Sequence, residues 1–397
     1  MKFDLAIVGA GALGSFAAYR ALKRGYRVLL IDSGQQARGA TVRNFGQVVP
    51  SGMEIGVWRD LGMRSLDLYR ELQPVSGSTI WQQGSLYVAS SPEEAQLLDE
   101  LDEINRELGY PSKRLSPAQC LAHNPALRAG YCQGGLFFPG DMSAETSTLM
   151  PIFWQRLAAD SALTLLPNTT VTAIEDSATA VGNGVRLTTA AGEQVHTDQV
   201  LICCGHLLNR LYPEHLQTPE MQIAKLQMMR IAPAGNITLP GNLLTGLTLR
   251  RYGAFKSCPS FTRLPPHGLN RGYDEFDIHI LVRQSADGSL ILGDSHEYFA
   301  ASQSGSLDYE ISTHINELML TEAKRILDLP HWRVDSTWNG YYSQENQRGV
   351  LLDSPSTHVH LVTGIGGKGM TTGPALMERV VDNLMAGRPL EDSLANP

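Results

Sequence analysis

A chain of 397 residues exceeds what one simple hydrophobic core organises, so two domains are expected. With 43% hydrophobic and 18% charged residues it reads as a globular protein, and a formal net charge of −8 without any Lys or Arg run argues against nucleic-acid or anionic-membrane partners. No apolar stretch approaches the ~18 residues that cross a bilayer, and Met1-Lys2-Phe3-Asp4 enters the first apolar run directly, so a cytoplasmic protein with neither leader nor membrane span is expected.

Asp4-Leu5-Ala6-Ile7-Val8 predicts a strand, Gly9-Ala10-Gly11-Ala12-Leu13-Gly14 a glycine turn, and Ala12 to about Arg24 a small-residue helix ended by Gly25. A second apolar run, Tyr26 to Ile31, closes on Asp32 and Ser33. The three glycines act differently. Gly9 allows the tight turn, Gly11 lets a pyrophosphate approach the backbone, and Gly14 lets helix pack on strand. The amides of the first helical turn then face the phosphates, and Asp32 is placed to accept from a ribose 2′-OH. A purely structural glycine turn is the plainer reading. The complete strand, helix, strand and terminal acid weigh against it.

The polar loop Ser33 to Gly46, holding Arg43 and Asn44, leaves the carboxyl end of a strand, where ligands bind in open α/β sheets. A helix from about Glu54 to Leu72, a strand over Gln83–Ala89, a helix from Pro92 to Leu108, a short helix begun by Ser116-Pro117 and a strand over Gly134–Gly140 follow. From about 143 the α/β pattern returns: a helix near Ala144–Ala159, strands over Leu163–Leu166 and Thr170–Ile174, a hairpin-like segment from Gly184 to Val195, and a buried strand from Gln199 that breaks at Cys204-Gly205, suiting close passage by a cofactor. Leu226–Ile231, Ile278–Gln284 and Leu290–His296 read as antiparallel strands, the last two as a hairpin, and Asp308–Leu327 as a helix. The last strand, His358–Thr363, leads into Gly364-Ile365-Gly366-Gly367-Lys368-Gly369-Met370 and a helix from about Gly373 to Met385. This second glycine turn lacks a following strand and acid, and so reads as another wall of the same site. Five cysteines without a CxxC pair fit reduced thiols.

Together these residues resemble the D-amino acid oxidase or glycine/sarcosine oxidase superfamily of flavoproteins, on Gly9 to Asp32, Arg43-Asn44-Phe45-Gly46 and Gly364 to Met370. The resemblance implies FAD in the first site, with Asp32 on the adenosine ribose. It places Gly46, Val171, Cys204, Gly205 and Gly340 along the cofactor, and Gly366, Gly367, Lys368, Gly369 and Met370 near the flavin. It also implies an α/β fold with an α+β second domain. A discontinuous Rossmann-like FAD-binding domain (1–84, 143–223, 333–397) is interleaved with a substrate domain (85–142, 224–332) built on a mixed, largely antiparallel sheet. Gly39 to Gly46 with Gly293 to Tyr298 look like a branch associated with bacterial phosphonate breakdown, which implies a 2-aminoethylphosphonate-like amine, N-methylated or not.

Two departures from the sarcosine oxidases stand out. Thr337 to Tyr342 holds no cysteine, so FAD is expected to be non-covalent. Ile291 stands where those enzymes carry an oxygen-activating lysine, which leaves Lys256 or Lys368 for that role and leaves the acceptor open between O2 and a carrier.

Amine oxidation asks the protein to deliver a neutral, oriented amine with its acidic group clamped, because the cofactor does the hard chemistry. Arginine forks suit such a clamp; Arg43, Arg251 and Arg283 are candidates, with Lys256 near. His279, His296 and Tyr341 are the candidate catalytic groups, and Trp338, Tyr341 and Tyr342 could shield the flavin. Each has a plain counterpart in core packing or a solvated strand. No metal-ligand spacing or nucleophile elbow appears. A flavin-dependent 2-hydroxy-acid dehydrogenase, a nicotinamide-dependent monooxygenase or a non-catalytic flavin-binding protein are the alternatives; the oligomeric state is open.

Overall fold

The computed structural model describes residues 3–395 apart from 76, 78, 180, 181 and 236; Met1 and Lys2, on which the expectation of no leader rests, lie outside the described residues. The first sheet is centred on five parallel strands, Leu163–Leu166, Val28–Ile31, Phe3–Val8, Gln194–Ile202 and Val359–Thr363 in that order across the sheet. Leu5, Ile7, Leu30 and Leu201 are fully enclosed, as expected of continuous apolar runs in a parallel sheet covered on both faces. Val171–Thr179 and Gly182–Thr189 add antiparallel strands to the first half of Gln194–Ile202, and Leu351–Ser356 pairs with Val359–Thr363.

Helix Ala12–Lys23 packs on Gly369–Met385 and, with Val57–Leu72 and Thr146–Ala158, encloses Phe16, Tyr69, Phe153 and Val380. The C-terminal helix begins at Gly369 rather than the expected Gly373, with Pro374 inside it. Proline has no amide to give the Met370 carbonyl four residues back. The Tyr69 hydroxyl donates to that carbonyl instead, at 3.0 Å, and the next amide, Ala375, donates to Ser65 Oγ at 3.1 Å.

The second sheet has nine strands. Glu297–Ala300, Met221–Ile231, Leu290–Gly293, Leu281–Gln284, Asn242–Leu244, Ser85–Ala89, Gly134–Phe138 and Lys113–Leu115 follow in order, and Val334–Glu345 lies along the whole of Met221–Ile231. The expected boundary gave all of 333–397 to the first unit, whereas this strand pairs within the second sheet. Its Asn339-Gly340 reads locally as a turn, yet Gly340 sits mid-strand opposite Leu226, where an added Cβ would lie 3.0 Å from Leu226 Cδ1.

Other ends shift by a few residues. Helices expected from Glu54 and Asp308 begin at Val57 and Thr313, the latter because Ser312 caps it, accepting from the Ile315 amide at 3.3 Å, while Asp308 pairs with Lys225 at 2.5 Å. The strand expected to reach Cys204 stops at Ile202. The predicted hairpin pairs as Leu281–Gln284 with Leu290–Gly293, and reciprocal bonds between the His279 and Asp294 backbones, 3.1 and 2.8 Å, follow one residue out of that register. Among the described residues no helix is long and apolar enough to cross a membrane.

Candidate active site

A cavity of about 1410 Å³ is lined by residues of both sheets. At one end stands the first glycine turn. Gly9 has φ +101°, a conformation suited to glycine, and an added Cβ would lie 2.3 Å from the Cys203 carbonyl. A Cβ on Gly14 would lie 1.8 Å from the Gly9 carbonyl, so helix and strand meet only because it is absent. Gly11 is different: within 4 Å its Cβ would meet Thr41 Oγ1 alone, at 3.1 Å, and its open side faces the cavity. Ala12, Leu13 and Gly14 line the cavity beside it at the helix N-terminus.

Asp32 and Ser33 also line this end. The Asp32 carboxylate accepts from the Ala10 amide at 2.7 Å and the Gly34 amide at 2.8 Å, which fixes it at the cavity wall with lone pairs to spare. Ala10 itself does not line the cavity; its amide is spent on Asp32, which corrects its expected cofactor role. Val171, Cys204 and Gly205 line the cavity.

The loop after the second strand is self-bound. Arg43 donates to the Arg38 carbonyl at 2.8 Å and the Asn339 carbonyl at 2.9 Å, so its fork ties the loop to the second sheet. Asn44 donates to the Ala40 and Thr41 carbonyls and accepts from the Gly46 amide at 2.6 Å. Arg43 and Asn44 line the cavity; Gly46 does not, being packed where a Cβ would lie 1.8 Å from the Ala144 carbonyl.

The second glycine turn forms the facing wall. Gly340, Gly366, Gly367, Lys368, Gly369 and Met370 all line the cavity. The Lys368 ammonium lies 4.6 Å from the centre of the Trp58 ring; burial lowers its pKa to about 8 against the opposing pull of Glu54 and Glu345.

The far end is polar and enclosed. His279, Asp294 and His296 are 5%, 8% and 3% exposed, and all three line the cavity. The imidazole rings lie 5.3 Å apart at 18°, with His279 Nε2 3.3 Å from Asp294 Oδ1 and His296 Nε2 3.6 Å from Oδ2. The first contact lacks hydrogen-bond geometry and the second is too long for one, so Oδ1 is buried and unpartnered. Burial pushes the Asp294 carboxyl up to about 7 against the pull of Arg251, and burial with Arg251 holds both imidazoles well below their usual range, so they are neutral. Arg251 is itself paired with Asp277 and donates to the Tyr298 hydroxyl at 3.1 Å. Donor atoms of the His279, Asp294 and His296 side chains fall within 4.8 Å of one another, a grouping that no spacing rule revealed. The hairpin register continues to Ile280 opposite Asp294, and the backbone bonds join Asp294 to His279 one residue out of that register, so no local signal pointed to this carboxylate.

Lys256, Trp338 and Tyr341 also line the cavity. The Tyr341 hydroxyl donates to the Asp308 carbonyl and its ring stacks 5.5 Å from His206, so it is a wall with a committed hydroxyl rather than a free proton donor. Arg283 is corrected outright: 2% exposed and absent from the lining, it donates to the Phe45 carbonyl at 2.5 Å and pairs with Glu145 at 3.2 Å. It anchors the polar loop to the second sheet.

The family model for FAD dependent oxidoreductases of the DAO type matches residues 4–382. The chain belongs to the DAO family. FAD is its cofactor, and the observed residues fit it: a turn that only glycines can make, an open approach at Gly11, a fixed acid at Asp32, and a second glycine wall on the same cavity. Among curated DAO-type relatives, N-methyl-L-tryptophan oxidase of Citrobacter koseri is 27% identical over 219 residues, 54% of this chain and 56% of that protein. The N-methyl-L-tryptophan oxidase of Salmonella typhi is 26% identical over the same length. The chain thus spans about half the length of the curated relatives it matches. In fold it is similar to the glycine oxidase of Geobacillus kaustophilus, with TM-score 0.76, 18% identity and coverage of 98% of this chain and 95% of that one. The iminodiacetate oxidase of Chelativorans sp. gives TM-score 0.70 at 18% identity, covering 97% and 96%.

Proposed function

We propose that this DAO-family chain oxidises a small amine that carries an anionic group, giving an imine that water hydrolyses to an aldehyde or oxo product. The observation that carries the reading is one continuous cavity with the dinucleotide turn at one end and a buried carboxylate among cations and aromatic rings at the other. When bound, FAD supplies the acceptor for the two electrons and the hydrogen of the carbon beside nitrogen. The residues do the rest: Trp338, Tyr341 and Tyr342 wall the far end from water, Asp294 faces the amine, and Lys256 offers positive charge to the anion.

The finer reading is an aminophosphonate, N-methylated or primary, which the loop Gly39 to Gly46 and the segment Gly293 to Tyr298 suggest. Within this reading FAD is held without a covalent bond. The cavity cysteines, Cys203 and Cys204, stand beside the dinucleotide turn, and burial pushes the Cys204 thiol up to about 12, far from a reactive thiolate. Acid precipitation should therefore release all flavin into the supernatant. Either O2 or a carrier takes the electrons afterwards; Ile291 is buried and does not line the cavity, so Lys368 is the cation left at the second wall.

Anion recognition is tested by comparing N-methyl-2-aminoethylphosphonate with neutral N-methylethanolamine. The expected kcat/KM ratio is about 100 or more, and Lys256→Met should reduce it about tenfold, the scale of one charge-assisted contact of ~1.5–3 kcal/mol. Equal kcat/KM for the two amines would rule the anionic substrate out.

A further inference from the structure

An amine of this kind reaches a protein at neutral pH as an ammonium ion, with no electron pair to support loss of a hydride from the neighbouring carbon. Its ordinary pKa is ~10, like that of lysine. Something must take that proton. Resting on the reading above, we propose that Asp294, flanked by His279 and His296, is the base that removes the substrate ammonium proton.

The geometry singles out this group. Asp294 is a buried carboxylate lining the cavity, and its Oδ1 has no hydrogen-bond partner among the described residues. A buried, unpartnered oxygen costs free energy unless a ligand completes it. The imidazoles flank the two oxygens at 3.3 and 3.6 Å, Tyr252 lies edge-on to His279 at 6.2 Å, and Tyr298 and Tyr342 pack about His296 at 6.1 and 6.3 Å. The charged groups here are Arg251, which is paired with Asp277, and Lys256 on the cavity lining; Arg251 pulls on the Asp294 carboxylate without forming an ion pair with it. With both imidazoles held toward the neutral form, the ionised Asp294 is a carboxylate without an Arg or Lys ion pair among the described residues. A monocation balances it, whereas a divalent metal would leave a net positive charge beside Arg251.

The step is a proton transfer. One N–H bond of the ammonium breaks, the electron pair stays on nitrogen, and an O–H bond forms on Asp294. Carboxylic acid and neutral amine then share an end with no net charge, which favours the transfer in a poorly solvated site. The burial that raises the Asp294 pKa toward neutrality brings it closer to the amine and makes it a better base than an exposed aspartate.

The test is the anaerobic rate of flavin bleaching in rapid mixing of the FAD-loaded protein with N-methyl-2-aminoethylphosphonate and with sarcosine from pH 5.5 to 10. In the wild type the second-order constant should rise through a single acid limb near pH 7, as Asp294 ionises, and then level. In Asp294→Asn that limb should vanish and the constant should climb about tenfold per pH unit toward the pKa of the amine, because only amine already neutral in solution reacts. The loss should be about 1,000-fold at pH 7 and only about tenfold at pH 9, following the neutral fraction of a group with pKa ~10. Asp294→Glu should keep the acid limb.

A loss of equal size at all pH values, or an unchanged profile in Asp294→Asn, overturns the assignment. If that variant does not fold, a wild-type constant that is flat from pH 5.5 to 8.5 overturns it alone. Stoichiometric divalent metal in the purified wild type, with bleaching abolished by a chelator, assigns the cluster to a cation and overturns it too. A wild type that no amine bleaches at any pH, although dithionite does, defeats the amine-oxidation reading itself and is recognisable as that separate failure.

Discussion

At Asp32 one carboxylate serves two ends. It closes the glycine turn through the Ala10 and Gly34 amides, and it stands at the cavity wall where the ribose of FAD is expected. Asp32→Ala should therefore weaken FAD retention and lower stability together. Purification with full flavin content would show that the ribose contact is not made. Asp141 provides a pH test away from the proposed chemistry. It is 1% exposed, accepts from Ser51 at 2.5 Å, and burial raises its carboxyl to about 7. Between the unfolded value near 4 and 7 the folded state binds more protons than the unfolded one, so this group removes stability as pH rises through that window. Asp141→Asn should accordingly raise Tm relative to wild type more at pH 8 than at pH 5; the opposite order in thermal melts would contradict the sign. At this scale much of the cavity was readable from the chain. Gly9, Gly11, Gly14 and Asp32 follow from local backbone need. Arg283 and Asp294 did not, because burial or exposure of a strand residue depends on which sheet face packs, and no local pattern carries that information.

Among the elements, the C-terminal helix illustrates how tertiary contacts override a local stop. Pro374 should end or kink a helix, and the expected start at Gly373 followed from reading the glycines before it as loop. The helix instead begins at Gly369 because Val57–Leu72 supplies the missing partners through Tyr69 and Ser65. Tyr69→Phe should cost ~1–3 kcal/mol, the usual penalty for a buried carbonyl left unpaired. Adding Pro374→Ala, which returns an amide to Met370, should recover most of it. A double-mutant cycle in urea checks this, and additivity of the two substitutions would rule the coupling out. Val334–Glu345 is the converse case. Its Asn339-Gly340 pair carries a turn signal, but register against Met221–Ile231 places the whole segment in the sheet, and such long-range pairing leaves little local trace.

For the whole molecule, the apolar parallel runs, the glycine turns and the alternating later strands made an α/β architecture with two large sheets legible, as the DAO-family fold bears out. What could not be read was how the sheets share residues. The strand Val334–Glu345 pairs within the second sheet while its far end bonds to the first: Ser343 Oγ donates to the Gly205 carbonyl at 2.8 Å and accepts from the Gly364 amide at 3.1 Å. One strand thus carries Trp338, Gly340, Tyr341 and Tyr342 across the cavity from one sheet to the other. Ser343→Val should uncouple the two, lowering FAD affinity more than it lowers the melting temperature of the cofactor-free protein; equal effects on both would mean that the serine only packs.

The most direct measurement is the anaerobic absorbance of the purified, flavin-loaded protein titrated with N-methyl-2-aminoethylphosphonate, 2-aminoethylphosphonate, sarcosine and glycine, followed by aldehyde or oxo-acid analysis. Amine oxidation in this cavity predicts loss of the oxidised flavin band with one equivalent of carbonyl product per flavin for at least one of these amines. Full reduction by dithionite alongside an unchanged spectrum with all four would contradict it.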